Sequence, residues 1–113
     1  MTAQEVAASL REASALRVVS GGTKLSWGRP IEAPELSVAE LDAIVEHNVG
    51  DLTAILQAGC PLATARDAFA AEGQMLALDP PDDGATIGGV VATGDSGPLR
   101  HCYGSPCDFV LGV

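Results

Sequence analysis

Positive charge is scarce in this chain. Six Lys and Arg stand against fifteen Asp and Glu, for a formal net charge of −9, and Lys24 is the only lysine. A surface of that sign repels phosphate backbones and anionic membranes, which excludes nucleic acid and acidic bilayers as partners. Aromatics are almost as scarce, with one Trp, one Tyr and two Phe. The apolar residues are largely Ala, so a chain of 113 residues builds one domain at most, around a thin aliphatic core. The three cysteines (Cys60, Cys102, Cys107) form no C-x-x-C and leave an odd count, as expected of reduced cytoplasmic thiols, buried or half-buried. The first residues are acidic rather than basic and no long apolar run follows, so neither a signal peptide nor a membrane span is expected. Repeats, low-complexity tracts and interdomain linkers are missing, as are the dinucleotide fingerprint G-x-G-x-x-G and the P-loop G-x-x-x-x-G-K-[ST].

Two stretches are rich in glycine and small hydroxyl residues. Residues 85–113 read ATIGGVVATGDSGPLRHCYGSPCDFVLGV, and 18–24 read VVSGGTK. Glycine lets backbone approach a ligand with no Cβ in the way, and Ser and Thr add short donors. In the first stretch Val90-Val91-Ala92 suggests a loop entering a short helix, whose start would aim free N–H groups at an anion. An acidic chain that holds a phosphate must use such groups, having few cations. The other reading of both stretches is two tight turns of an α/β domain.

The order S-G-G-T-K (20–24), G-D-L-T (50–53), A-G-x-P-L (58–62), D-P-P (79–81), A-T-I-G-G (85–89), S-G-P-L-R (96–100) and Y-G-x-P-x-D-x-V-L-G (103–112) covers almost the whole chain. It resembles the p-cresol methylhydroxylase-type FAD-binding domain of the vanillyl-alcohol oxidase superfamily, and within it the FAD-binding subunits of bacterial glycolate oxidases. The resemblance implies a mixed α/β (α+β) fold holding the N-terminal subdomain of that domain and the start of its second subdomain. It also implies that the rest of the domain and the substrate domain lie outside these 113 residues. Ser20, Gly21, Gly22, Thr23 and Lys24 would form the first pyrophosphate loop. Ala85, Thr86, Gly88, Gly89, Ala92, Thr93, Ser96 and Gly97 would line the second side, with Pro80 and Asp83 just before it. Relatives that bind flavin covalently through the first loop carry His where Thr23 stands, so the resemblance implies non-covalent FAD. Two departures are Gly94, where relatives often have Asn, and Cys107, where the pattern has Arg; the loss of that cation removes a hydrogen-bonding fork.

Along the chain, the Thr2/Glu5 capping box and the spacing of Val6, Leu10 and Ala13 predict a helix over 3–13. A strand over 16–20 delivers the first Gly-Gly turn, and a loop follows over 24–34, with Trp27 covering an edge of the core. Residues 37–47 carry a capping box (Ser37, Glu40) and a helical stripe, but the resemblance favours strand, one helical turn, strand. A turn at Asn48-Val49-Gly50 then makes a hairpin into a strand over 52–58. Pro61 and Gly73 punctuate a helix over 61–72. Strands are expected over 75–78 and 109–113, with a loop over 79–84 stiffened by Pro80-Pro81. These make two strand–helix–strand units and a closing Gly-rich segment.

His101, Cys102, Cys107 and Asp108 match no standard zinc spacing, and Pro80-Pro81 denies Asp79, Asp82 and Asp83 a flexible calcium loop. His47 reads as a solvated surface residue, and no catalytic set stands out. Two functions of different class follow. One is the FAD-binding segment of a flavin-dependent 2-hydroxy acid oxidoreductase, working with partner subunits or as a homo-oligomer. The other is a non-catalytic α/β module that binds no flavin alone and serves assembly through exposed sheet edges.

Overall fold

The computed structural model describes residues 1–81 and 84–113, and among them the fold is mixed helix and sheet. Helix α1 (Ala3–Glu12) starts at the expected capping box: Thr2 Oγ1 accepts from Glu5 N, and the Glu5 carboxylate accepts from Thr2 N. Its apolar stripe stays half covered, since α1 has no buried residue. Strands β1 (Arg17–Val19) and β2 (Glu35–Ser37) pair in parallel, Val18 opposite Leu36. The crossover between them is an extended loop with no helix, as expected over 24–34. Trp27, within that loop, is 57% exposed and covers no core; the Lys24 ammonium sits 5.6 Å from its ring centre instead.

After β2 the chain makes one turn, closed by Leu41 N donating to Val38 O. It then forms the expected hairpin of β3 (Ile44–Asn48) and β4 (Thr53–Leu56), with a bulge between Ile44 and Glu46. His47 is not a solvated residue. Its ring stacks on Phe69 at 4.5 Å. Gln74 Nε2 donates to Val49 O, which turns Gln74 Oε1 toward His47 Nε2–H at 3.0 Å. This set fastens the hairpin to helix α2 (Leu62–Ala71), which Pro61 opens and Gly73 follows, at a φ of +69°.

The core is thin and aliphatic. Leu62, Leu78, Ala85 and Val90 form its centre, with Leu76, Ile87 and Phe109 packed against it. Ala77 and Leu78 are buried, yet 75–78 is not a strand: no described strand lies alongside to pair with it, and Arg66 donates to Leu78 O instead. The apolar run there reports burial, not pairing. Helix α3 (Ile87–Thr93) follows, then two single-turn helices, α4 (Arg100–Tyr103) and α5 (Pro106–Phe109). The expected strand over 109–113 is absent because Ser105 and Asp108 form a capping box around Pro106 and draw Phe109 into α5. Residues 110–113 are exposed and unpaired. Asp83, expected near the cofactor, lies outside the described residues.

Candidate functional site

A cleft of about 140 Å³ opens between the turn that follows β1 and the outer face of α3. The structure brings Ser20, Gly21, Gly22, Thr23 and Lys24 together there with Thr86, Gly89, Ala92 and Thr93, while Val18, Val19 and Leu25 supply an apolar side that the motifs had not indicated. Its volume is below the roughly 300–1,000 Å³ of a pocket that encloses a whole small ligand. It suits one part of a long ligand.

The two walls differ in their hydrogen bonding. At the start of α3 the N–H groups are used internally: Ile87 N donates to Cys60 O, Gly88 N to Ala58 O, Val90 N to Thr86 O and Gly89 N to Thr86 Oγ1. The expected free donors are therefore not at this helix start, because it is laid against the end of the hairpin and completes that segment's carbonyls. Thr93 is engaged as well, its hydroxyl donating to Gly89 O at 2.8 Å. Gly94 then closes α3 at a φ of +68°, a left-handed position where Gly and Asn are the least strained residues.

On the opposite wall, the backbone N–H groups of Gly21, Gly22 and Thr23 make no hydrogen bond to any described residue. The Ser20 hydroxyl is out of contact with water and has no hydrogen-bond partner among the described residues. A Cβ on Gly21 would stand 2.7 Å from Gly84 O and 3.2 Å from the Thr86 methyl. The wall thus offers donors unspent among the described residues, over a backbone that at Gly21 has no room for a Cβ.

Lys24 points to the side. Its ammonium lies 3.4 Å from Asp95 Oδ2, with the two side chains only 5% and 8% exposed, and it donates to Thr23 Oγ1 at 3.1 Å. The Asp79 carboxylate accepts from Gly97 N (3.0 Å) and Leu99 N (3.1 Å). Ser96 and Gly97 therefore belong to a clamped loop away from the cleft lining. Ala85 and Pro80 are buried behind it, and Gly88 packs on Ala58. Neither Asp95 nor Asp79 was singled out as a site residue; the one signal for the first was a lone lysine in an acidic chain that had to find a carboxylate.

No described residue is set up as a nucleophile. Burial, and secondarily the charge of Asp42, raise the Cys60 thiol above its ordinary value and keep it protonated. No group of three or more His, Cys, Asp and Glu is placed to hold a metal among the described residues.

A family profile described as "FAD binding domain" matches residues 1–113. The chain belongs to the FAD-binding domain family. Among curated relatives of this FAD-binding domain, it is 36% identical over 112 residues to glycolate oxidase subunit GlcE of Escherichia coli (strain K12), covering 97% of this chain and 32% of that protein. The chain therefore spans about a third of the length of the relative it matches. No solved structure matches it. Among the described residues no helix is long and apolar enough to cross a membrane.

The Ser20 hydroxyl, the unspent N–H groups of 21–23 and the close approach at Gly21 fit a phosphate of FAD. Such a group accepts from several short donors at once and needs the backbone near it.

Proposed function

We propose that residues 1–113 are part of an FAD-binding domain that holds the diphosphate of non-covalent FAD, within a flavin-dependent oxidoreductase for 2-hydroxy acids of the glycolate type. The family and the name of the curated relative support the cofactor and the substrate class. The observation that carries the reading is the Ser20 hydroxyl, buried at the cleft without a partner among the described residues. A buried polar group left unpaired costs about 1–3 kcal/mol, and a phosphate oxygen would remove that penalty. When bound, FAD supplies the ring that accepts a hydride from the substrate carbon. The chain's own part is to grip the diphosphate: Ser20 donates its hydroxyl, Gly21, Gly22 and Thr23 donate backbone N–H groups, and Thr86, Gly89, Ala92 and Thr93 form the facing wall. Thr23 supplies a hydroxyl where covalent relatives carry His, which leaves the flavin removable. Further subunits of the same oxidoreductase, or a second copy of this chain, complete the assembly, and free thiols at Cys60, Cys102 and Cys107 suit the cytoplasm.

The exposed apolar side chains of the hairpin, Val45 at 60%, Leu52 at 77% and Ile55 at 54%, favour a second reading: an assembly module that binds no flavin alone. One experiment separates the two. The purified chain is mixed with FAD and desalted, and its visible absorbance and sedimentation are recorded beside a Ser20→Ala variant. Retained flavin that is lost in Ser20→Ala supports the diphosphate site. A colourless protein that sediments as an oligomer supports the assembly module.

A further inference from the structure

We propose that Lys24 is a positioning residue, not a phosphate ligand: its ion pair with Asp95 clasps the first glycine turn to the end of α3 and sets the width of the cleft. The inference takes its ligand from the FAD reading above, but the clasp stands on geometry. Lys24 directly follows the turn that carries the unspent N–H groups, and Asp95 directly follows Gly94, the residue that ends α3. The pair therefore joins the two walls. Its members lie 3.4 Å apart with side chains 5% and 8% exposed. Asp95 Oδ2 is buried and makes no hydrogen bond among the described residues, so the ammonium beside it is its compensation. To reach a phosphate, that ammonium would have to leave the carboxylate buried and bare, which is strongly unfavourable.

Both ends of the clasp are themselves held. On one side the ammonium donates to Thr23 Oγ1 and stands 5.6 Å from the Trp27 ring centre. On the other, Asp79 pins the stretch after Asp95 through Gly97 N and Leu99 N. The two charges cancel across the cleft, so the diphosphate is met by N–H dipoles and the Ser20 hydroxyl rather than by a free cation.

The test uses the whole chain and four variants: Lys24→Met, Asp95→Asn, the reversed pair Lys24→Asp/Asp95→Lys, and Lys24→Arg. Two quantities are read: FAD affinity by calorimetry, and backbone amide exchange of the flavin-free protein over 20–24 and 87–94. For contacting residues of this kind each single variant is expected to weaken FAD about tenfold and to speed exchange in both segments, with the reversed pair recovering much of each. A phosphate ligand predicts otherwise: Asp95→Asn would loosen the ammonium's hold on that side and tighten FAD, and the reversed pair would not recover. That result overturns the clasp, as does unchanged exchange in both single variants. If the unaltered chain takes up no FAD, the diphosphate reading fails while exchange still decides the clasp. If a single variant does not fold, Lys24→Arg decides: unaltered exchange with FAD affinity retained supports the clasp, and unaltered exchange with FAD affinity lost overturns it.

Discussion

In the 20–24 turn Gly21 and Gly22 are exposed, Gly21 with one side against Gly84 O and the Thr86 methyl, whereas in the 85–97 segment Gly88 is half-buried and Gly97 buried against other backbone and side chains. A Cβ at Gly88 would meet Ala58 Cβ at 2.8 Å and Ala58 O at 2.9 Å, and the N–H of Gly88 is bonded to that same carbonyl. The second segment is thus part of the core that carries the fold. The first stands outside that core, with its donors unspent. Similar composition is packed into the core in one loop and left at the cleft surface in the other, and it is the burial of each glycine that distinguishes them.

The sharpest break of this comparison is in the core. Leu62 is 2% exposed at its centre, so Leu62→Ala is expected to lose about 2–5 kcal/mol of stability. Denaturant unfolding measures it, and FAD affinity per folded molecule should stay near that of the unaltered chain. A matched pair of substitutions comes next. Gly88→Ala should cost about 1–3 kcal/mol through overpacking, read in the same unfolding experiment. Gly21→Ala should change stability less but weaken FAD about tenfold, because the added methyl pushes the turn off Gly84 and Thr86. Equal stability losses in the two variants would erase the distinction between the loops.

The smallest effect is in acid. Hydrogen bonds from Ser105 N and Oγ hold Asp108 below its ordinary value of 3.8. A carboxyl lowered by folding adds stability above its unfolded value and loses it as pH falls through the folded one. Amide protection across α5, taken relative to the intrinsic exchange rate at each pH, should therefore stay constant down to about pH 4 and fall below it, and Asp108→Asn should remove that step while sparing the cleft.

Legibility in the sequence followed how local each signal was. The Thr2/Glu5 box, and Pro61 with Gly73, placed α1 and α2 because capping is decided within one turn of chain. The Asn48–Thr53 hairpin was legible for the same reason. The runs at 75–78 and 109–113 were misread because apolar character reports burial and says nothing of a pairing partner. In the second case the Ser105/Asp108 box was the better local signal. The mixed fold and the FAD-binding family were carried by ordered motifs. Within the site, the Gly21–Gly22 turn was legible, while the Lys24–Asp95 pair was not, since nothing in either segment specifies the other. The use of α3's first N–H groups was hidden likewise, as their acceptors lie on 58–60.

One bridge has a consequence for how the molecule assembles. Pro61 and Thr86 face each other in an isolated antiparallel bridge, with Leu62 N donating to Ala85 O and Ile87 N to Cys60 O. The two helices α2 and α3 therefore begin from one shared junction. A seven-residue helix with two glycines has no persistence of its own in water, so α3 forms only after the intervening chain has closed its loop and the junction has zipped. The wall that α3 gives the cleft is thus a late product of folding, and any event that opens the junction melts it together with the start of α2.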